Sequence, residues 1–151
     1  MNINKVQKDI FNHLLNGDRV MKFDVDENNI FITPTGFYGF VIPNALLQVN
    51  PAKIPEMKQK LNLQSVVCEE NLCTLTDECK IIFRPRKTYA IKLRRGEKNV
   101  FVNESFLQYF QNPKYYFSGK GTLVVVTEEM RTGQENIVGV VCPIITQERE
   151  V

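Results

Sequence analysis

Between Arg84 and Lys98 the chain carries seven basic residues, Arg84, Arg86, Lys87, Lys92, Arg94, Arg95 and Lys98, against one acid, Glu97. The chemistry open to such a run is phosphate neutralisation. Several cations on one strand face displace counterions from nucleic acid, and each contact steepens the salt dependence of binding. The segment's net +6 exceeds the +2 of the whole chain, so the remainder carries −4. Over 87–95, Tyr89, Ile91 and Leu93 alternate with Ala90, Lys92 and Arg94, which predicts a strand with one buried and one basic face. The competing explanation is that long basic side chains keep an exposed edge strand from pairing. The seven residues are thus a candidate nucleic-acid-binding site or a solubilising stripe.

The other reactive residue types form no recognisable catalytic pattern. His13 is the single histidine, at the edge of a helical apolar stripe and without a Ser or Cys partner in any motif, which predicts a half-buried structural role. Cys68, Cys73, Cys79 and Cys142 show no CxxC spacing. Cys73 and Cys79 are expected to face each other across a turn at Asp77-Glu78, but no second pair or histidine sits at ligand spacing for zinc. Ser118-Gly119-Lys120-Gly121-Thr122 lacks the spacing of a phosphate loop and reads as a hairpin turn. Asp24, Asp26 and Asn28 open like a calcium loop, yet Asn29 replaces the glycine and Thr35 the bidentate glutamate, so a solvated turn is expected. With no paired carboxylates, metal set or cofactor loop, the expectation is a protein that is not an enzyme and binds no cofactor.

The elements that must position these residues follow from periodicity and punctuation. Ile3, Val6, Ile10 and Leu14 predict a helix over 3–16, with Phe11 and Leu15 widening its stripe, Asn4 and Gln7 as a capping pair and Asn16-Gly17 as the stop. Strands are expected near 19–25, 29–34 and 36–42, with turns at 26–29 and Pro34-Thr35-Gly36. Pro43, Pro51 and Pro55 punctuate a connector over 44–65, with a short helix at 55–61 and an exposed Ala45-Leu46-Leu47 that suits a lid or a docking segment. A meander follows at 71–76, 79–84, 87–95 and 98–102. Asn103 then caps a second helix, ESFLQYFQ, ended by Asn112-Pro113. Strands near 114–118, 121–127 and 136–144 finish the domain, and the charged tail Gln147–Val151 is expected to fray. Gly36–Ile42 and Asn136–Cys142 are nearly continuous apolar runs, so they are expected inside a sheet, with Gly39 and Gly139 allowing close approach of a helix or the opposite sheet.

At 151 residues, 43% hydrophobic and 24% charged, the chain is long enough for one domain with an ordinary core. No apolar run approaches a membrane span, no signal-peptide core opens the sequence, and the cysteine pattern suits reduced thiols. These features predict a cytoplasmic protein of bacterial type, with no membrane association.

The two ends also repeat. Phe11 matches Phe106 at an offset of 95, Phe23 matches Phe117 and Thr33 matches Thr127 at 94, and Gly39, Val41 and Pro43 match Gly139, Val141 and Pro143 at 100. The jump in offset is assigned to extra residues within Glu128–Gln134. An α+β domain is expected, with pseudo-two-fold related halves at about 3–43 and 99–145, and the connector and meander, 44–98, between them. Residues 99–143 resemble a half-repeat of a DNA polymerase sliding clamp domain. A strand runs into a helix through VFVNESFLQYF, three strands follow, and Ile137-Val138-Gly139-Val140-Val141-Cys142-Pro143 closes the last. The resemblance implies a DNA-clamp-like single domain. It departs from the family in having no strand before the first helix and no basic residue in the second, which carries Glu104. The function expected is a non-catalytic binding module, associated with nucleic acid through the basic stripe. The alternative is a protein–protein adaptor or homo-oligomeric interaction protein working through sheet edges and the 44–65 connector. A monomer or weak dimer is expected.

Overall fold

Asn2, rather than Asn4, starts the first helix: its side-chain oxygen accepts from the Lys5 amide at 3.1 Å, because an N-cap residue must stand outside the helix it caps. The computed structural model describes residues 1–59, 61–83, 86–119 and 122–144. Helix α1 spans Ile3–Leu15 and buries Val6, Gln7 and Ile10. Phe11 and Leu15 do not widen the buried stripe; they are 53% and 69% exposed.

Ten strands follow among the described residues: β1 (Met21–Asp24), β2 (Asn29–Thr35), β3 (Tyr38–Pro43), β4 (Glu56–Met57), β5 (Leu72–Ile82), β6 (Thr88–Arg95), β7 (Lys98–Asn103), β8 (Lys114–Phe117), β9 (Val124–Glu129) and β10 (Glu135–Val141). They form one sheet in the order β4-β1-β2-β3-β10-β9-β8-β5-β6-β7, antiparallel throughout except for β1 with β4. The protein is a mixed α+β domain, mostly a large sheet with few helices. The sheet curls far enough that Ile144, just past central β10, bridges Phe101 of edge strand β7, its amide donating to the Phe101 carbonyl at 2.7 Å.

Alternation splits the side chains into two clusters. Ile30, Ile32, Tyr38, Phe40, Ile42, Leu93, Val124, Val126 and Val141 lie in the larger one, under α1 and the six-residue 3-10 segment Glu104–Tyr109. Phe23, Phe31, Val41 and Val140 form the smaller one on the opposite face. The helical elements thus lie over one face. The segment capped by Asn103 is 3-10 rather than α, being too short between its cap and Asn112-Pro113 to propagate.

Three further expectations are corrected. The strands at 71–76 and 79–84 are one strand, β5, which carries a bulge between Leu75 and Cys79 where a turn at Asp77-Glu78 was expected. Strand 87–95 is not an edge: β6 pairs with β5 and β7 on its two sides, and the edges are β4 and β7. Among the described residues of 55–61 there is no helix; Pro51–Lys53 is a 3-10 turn and Glu56–Met57 pairs with Lys22–Phe23, so sheet pairing overrides the helix signal of Pro55. The connector packs inward as well. Ile54 is buried, and the Gln7 amide, itself buried, donates to the Leu46 carbonyl at 3.0 Å while its oxygen accepts from the Gln48 amide at 2.5 Å. Ala45 and Leu46 are exposed, but Leu47 and Val49 pack against the core.

Inside the sheet lies the β3–β10 seam, where Gly39 faces Val140 and Phe40 faces Gly139. A Cβ on Gly39 would stand 2.5 Å from the Phe31 ring; one on Gly139 would stand 2.7 Å from the Phe110 ring and 2.9 Å from the Gly39 carbonyl oxygen. Interior placement is as expected, but the close neighbour of Gly39 is a ring from the adjacent strand β2 rather than a helix or an opposite sheet. Beside the seam, the Glu135 carboxylate accepts from both the Tyr116 and Thr127 hydroxyls, and Thr127 is fully buried.

Two outcomes follow. Gly139→Ala should lower stability by about 1–3 kcal/mol through overpacking against a ring and a backbone oxygen, measured by urea unfolding. An unchanged midpoint would show that the seam yields freely. For Glu135, burial opposes ionisation, but the hydrogen bonds from Thr127 and Tyr116, with the charge of Lys114, outweigh it and hold the carboxyl below its ordinary value of 4.5. A depressed folded pKa stabilises above the unfolded carboxyl range, and the contribution is lost as pH falls through the folded value. Glu135→Gln should therefore cost about 1 kcal/mol at neutral pH, with the gap to wild type closing as pH falls below 4.5. A gap constant with pH would contradict this.

Candidate interaction surface

The basic residues of 84–98 do not form one free stripe. Arg84 lies outside the described residues. Lys92 and Arg94 share a face of β6, as expected, but Lys92 donates to a Glu78 carboxylate oxygen at 2.6 Å and Arg94 stands 3.9 Å from the other oxygen. Glu78 reaches them because the β5 bulge carries it out beside β6. The Lys92 hydrogen bond, then its charge, holds the Glu78 carboxyl below its ordinary value. Arg95 ties loops together, donating to the Asn71 side chain at 2.8 Å and the Ser118 carbonyl at 3.2 Å. Arg86, Lys87 and Lys98 are exposed. The Lys87 ammonium lies 5.5 Å from the Tyr89 ring centroid, and Lys80 sits similarly over Phe101 at 4.6 Å.

The other face of β6 holds what the sequence did not reveal. Leu93 is fully buried, Ile91 is half-buried, and Tyr89, expected inside, is 50% exposed. Their ladder partners on β5 are Leu75, 48% exposed, Cys79, and Ile81, 47% exposed. Apolar side chains therefore run without a break from the core out along the β5–β6 hairpin into water. Ala90, expected on the basic face, is fully buried between its ladder partners Lys80 and Asn103.

Where this face meets the 3-10 segment Glu104–Tyr109 there is an open groove of about 660 Å³. Ile91, Leu107, Phe110 and Tyr115 give it apolar surface, and Lys87, Tyr89, Glu104 and Gln108 also line it. Each wall has a local cause. Asn103 caps the 3-10 turn and so sets the direction of Leu107, while Gly139 admits the Phe110 ring. Burial pushes the Tyr115 hydroxyl up to about 12, so it is a neutral donor at physiological pH.

His13 is half-buried, as expected, in a network the sequence did not suggest. Its Nδ1 lies 2.7 Å from Asp18 and its Nε2 3.1 Å from the Tyr38 hydroxyl, which donates to Asp9 at 2.7 Å. Burial, then Asp9, pushes the Tyr38 hydroxyl well above its ordinary value, so it stays protonated. The arrangement ties α1 to β3, and His13 does not line the groove.

Among the described residues no group of three His, Cys, Asp or Glu side chains is placed to hold a metal ion. Cys73 is buried and Cys79 exposed on the same strand, so they do not face each other across a turn. Asp26 accepts from the Asn28 and Asn29 amides at 2.7 and 2.9 Å, which closes the turn at 26–29 on itself. In the Ser118–Thr122 loop, Lys120 and Gly121 lie outside the described residues, as does the tail Gln147–Val151. No described helix is long and apolar enough to cross a membrane.

No protein-family model, curated protein or solved structure matches the chain.

Proposed function

We propose that the protein is a non-catalytic binding module that engages a protein partner through the groove face of the β5–β6 hairpin. The observation that carries this reading is the apolar run Leu93, Ile91, Tyr89 with Leu75 and Ile81, which leaves the core only partly covered. Burying one such side chain contributes roughly 1.5–3 kcal/mol, enough for a few of them to anchor a partner. The 44–65 connector is the weaker candidate for this role, because Ile54 and the Gln7 amide fix it to the domain's own fold. A monomer or weak dimer suits the reading.

Nucleic acid is the second reading. It is favoured by the Lys87 ammonium over exposed Tyr89, a base-stacking surface with a cation on it, and by exposed Arg86, Arg94 and Lys98 elsewhere on the same segment, Arg94 on the opposite face of β6. It is weakened at Lys92 and Arg95, whose charges already have protein partners.

We also propose that the domain is a duplicated, clamp-like unit. Six neighbouring strands run β1-β2-β3-β10-β9-β8, an order that reads the same from either end when the halves are exchanged. The seam supports this, because adding 100 to Gly39 and Phe40 exchanges the pair Gly39–Val140 with the pair Phe40–Gly139. The register shifts one match: Met21 faces Thr33 where Tyr115 faces Val126, so the counterpart of Thr33 is Val126 rather than Thr127.

A photo-crosslinking amino acid at position 89 should yield a defined protein adduct in cells, while the same group at exposed Lys8 should not. Equal labelling at both positions would contradict the proposal. A nuclease-sensitive adduct would favour nucleic acid, for which retardation of a single-stranded oligonucleotide should weaken steeply with salt and be lost in an R86E/K87E/R94E variant.

A further inference from the structure

Strand β5 is an inner strand by order, yet its ladder with β8 covers only Leu72 and Cys73. From Cys79 to Ile82 it pairs with β6 alone among the described residues, so that stretch is an edge within the sheet. Sheet edges are ordinarily guarded by charge, proline or a bulge. The bulge between Leu75 and Cys79 guards only the part before it. Beyond it the chain reads Cys79-Lys80-Ile81-Ile82-Phe83, with Ile81 47% and Phe83 69% exposed. Lys80 does not guard this edge, because its ammonium lies over the Phe101 ring of β7, two strands away.

An edge of this composition fits a strand of the same kind running the other way, because its two ends carry opposite charge. Asp77 is exposed just before the run, and Arg86 and Lys87 are exposed just after it, while neighbouring Glu78 is held by Lys92. An antiparallel copy lays the acidic end of each strand beside the basic end of the other, twice over by symmetry. Parity narrows the register: only odd positions set against odd positions put both apolar faces on the same side. We infer that this edge of β5 pairs antiparallel with the same edge of a second copy of the chain, centred on Ile81. Ile81 then meets Ile81 of the second copy, and Cys79 meets Phe83. Since Tyr89 is the ladder partner of Ile81, the joined sheets carry an unbroken row of Tyr89, Ile81, Ile81 and Tyr89. The contact lies along the strand edge and not in the groove, so it goes beyond the protein-partner reading and does not depend on it. The run is far shorter than the roughly 20–30 residues a side of a standard interface, so the dimer forms reversibly.

Sedimentation velocity of the full chain, from micromolar to millimolar concentration, tests this. The sedimentation coefficient should rise from monomer toward dimer, and Ile81→Lys, which sets like charges face to face at an exposed position, should abolish the rise. Asp77→Lys and Arg86→Glu should each weaken association about tenfold, through two like-charge contacts of surface strength. An equimolar mixture of those two variants should recover the parent behaviour, because the mixed pair sets Lys against Glu at one end and Arg against Asp at the other. All three variants should keep the thermal midpoint of the parent chain. A chain that stays monomeric throughout, association that survives Ile81→Lys, or a mixture no better than either variant alone would overturn the inference. So would an adduct of unlike mass from a photo-crosslinking amino acid at position 81, which assigns the edge to a different protein. The groove reading stands or falls separately, on the adduct at position 89.

Discussion

The seam between β3 and β10 is the contact on which the other elements depend. Two strands can approach there with rings laid over them only because Gly39 and Gly139 present no side chain. The glycines serve opposite faces. Gly39 makes room for Phe31 in the smaller cluster, and Gly139 for Phe110, which belongs to the larger one. Phe110 follows directly on the 3-10 segment Glu104–Tyr109, so seating its ring fixes that segment over the sheet. Tyr38 and Phe40 then pack against Tyr109, at centroid separations of 6.1 and 4.9 Å, and α1 closes the layer beside them. The groove inherits its position from this chain of contacts, since Phe110 and Leu107 line it.

The groove exists because the core stops short of the sheet. Along β6 burial falls from Leu93 through Ile91 to Tyr89, and the covering segment begins only at Glu104, next to the Asn103 partner of Ala90. Strand β5 is eleven residues long and outruns everything packed on it. A sheet face in that state stabilises nothing by itself, and it supplies apolar area for an incoming chain. The basic residues of the segment play divided roles: Lys92 and Arg95 hold the hairpin and loops together, while Lys87 lines the groove.

Much of the fold was legible in the sequence, because turns and alternation are local signals. Asn16-Gly17 ended the helix, the apolar runs around Gly39 and Gly139 marked interior strands, and Asn103 marked the cap of the 3-10 turn. What was not legible depended on partners distant in the chain. Asp77-Glu78 has the composition of a turn and forms a bulge, because β6 continues the ladder past it. Pro55 suits a helix start, yet the next two residues find an open edge on β1. Tyr89 alternates in phase with a buried Leu93, but periodicity fixes which face a residue is on and not where its cover ends.

Native-state hydrogen exchange tests the central claim most directly, namely that a rigid seam carries a partly uncovered hairpin. The amides of β3 and β10 should exchange only through global unfolding, and those of β5–β6 from Cys79 to Ile91 should open at distinctly lower free energy. Seam amides that open as readily as the outer hairpin would contradict the account.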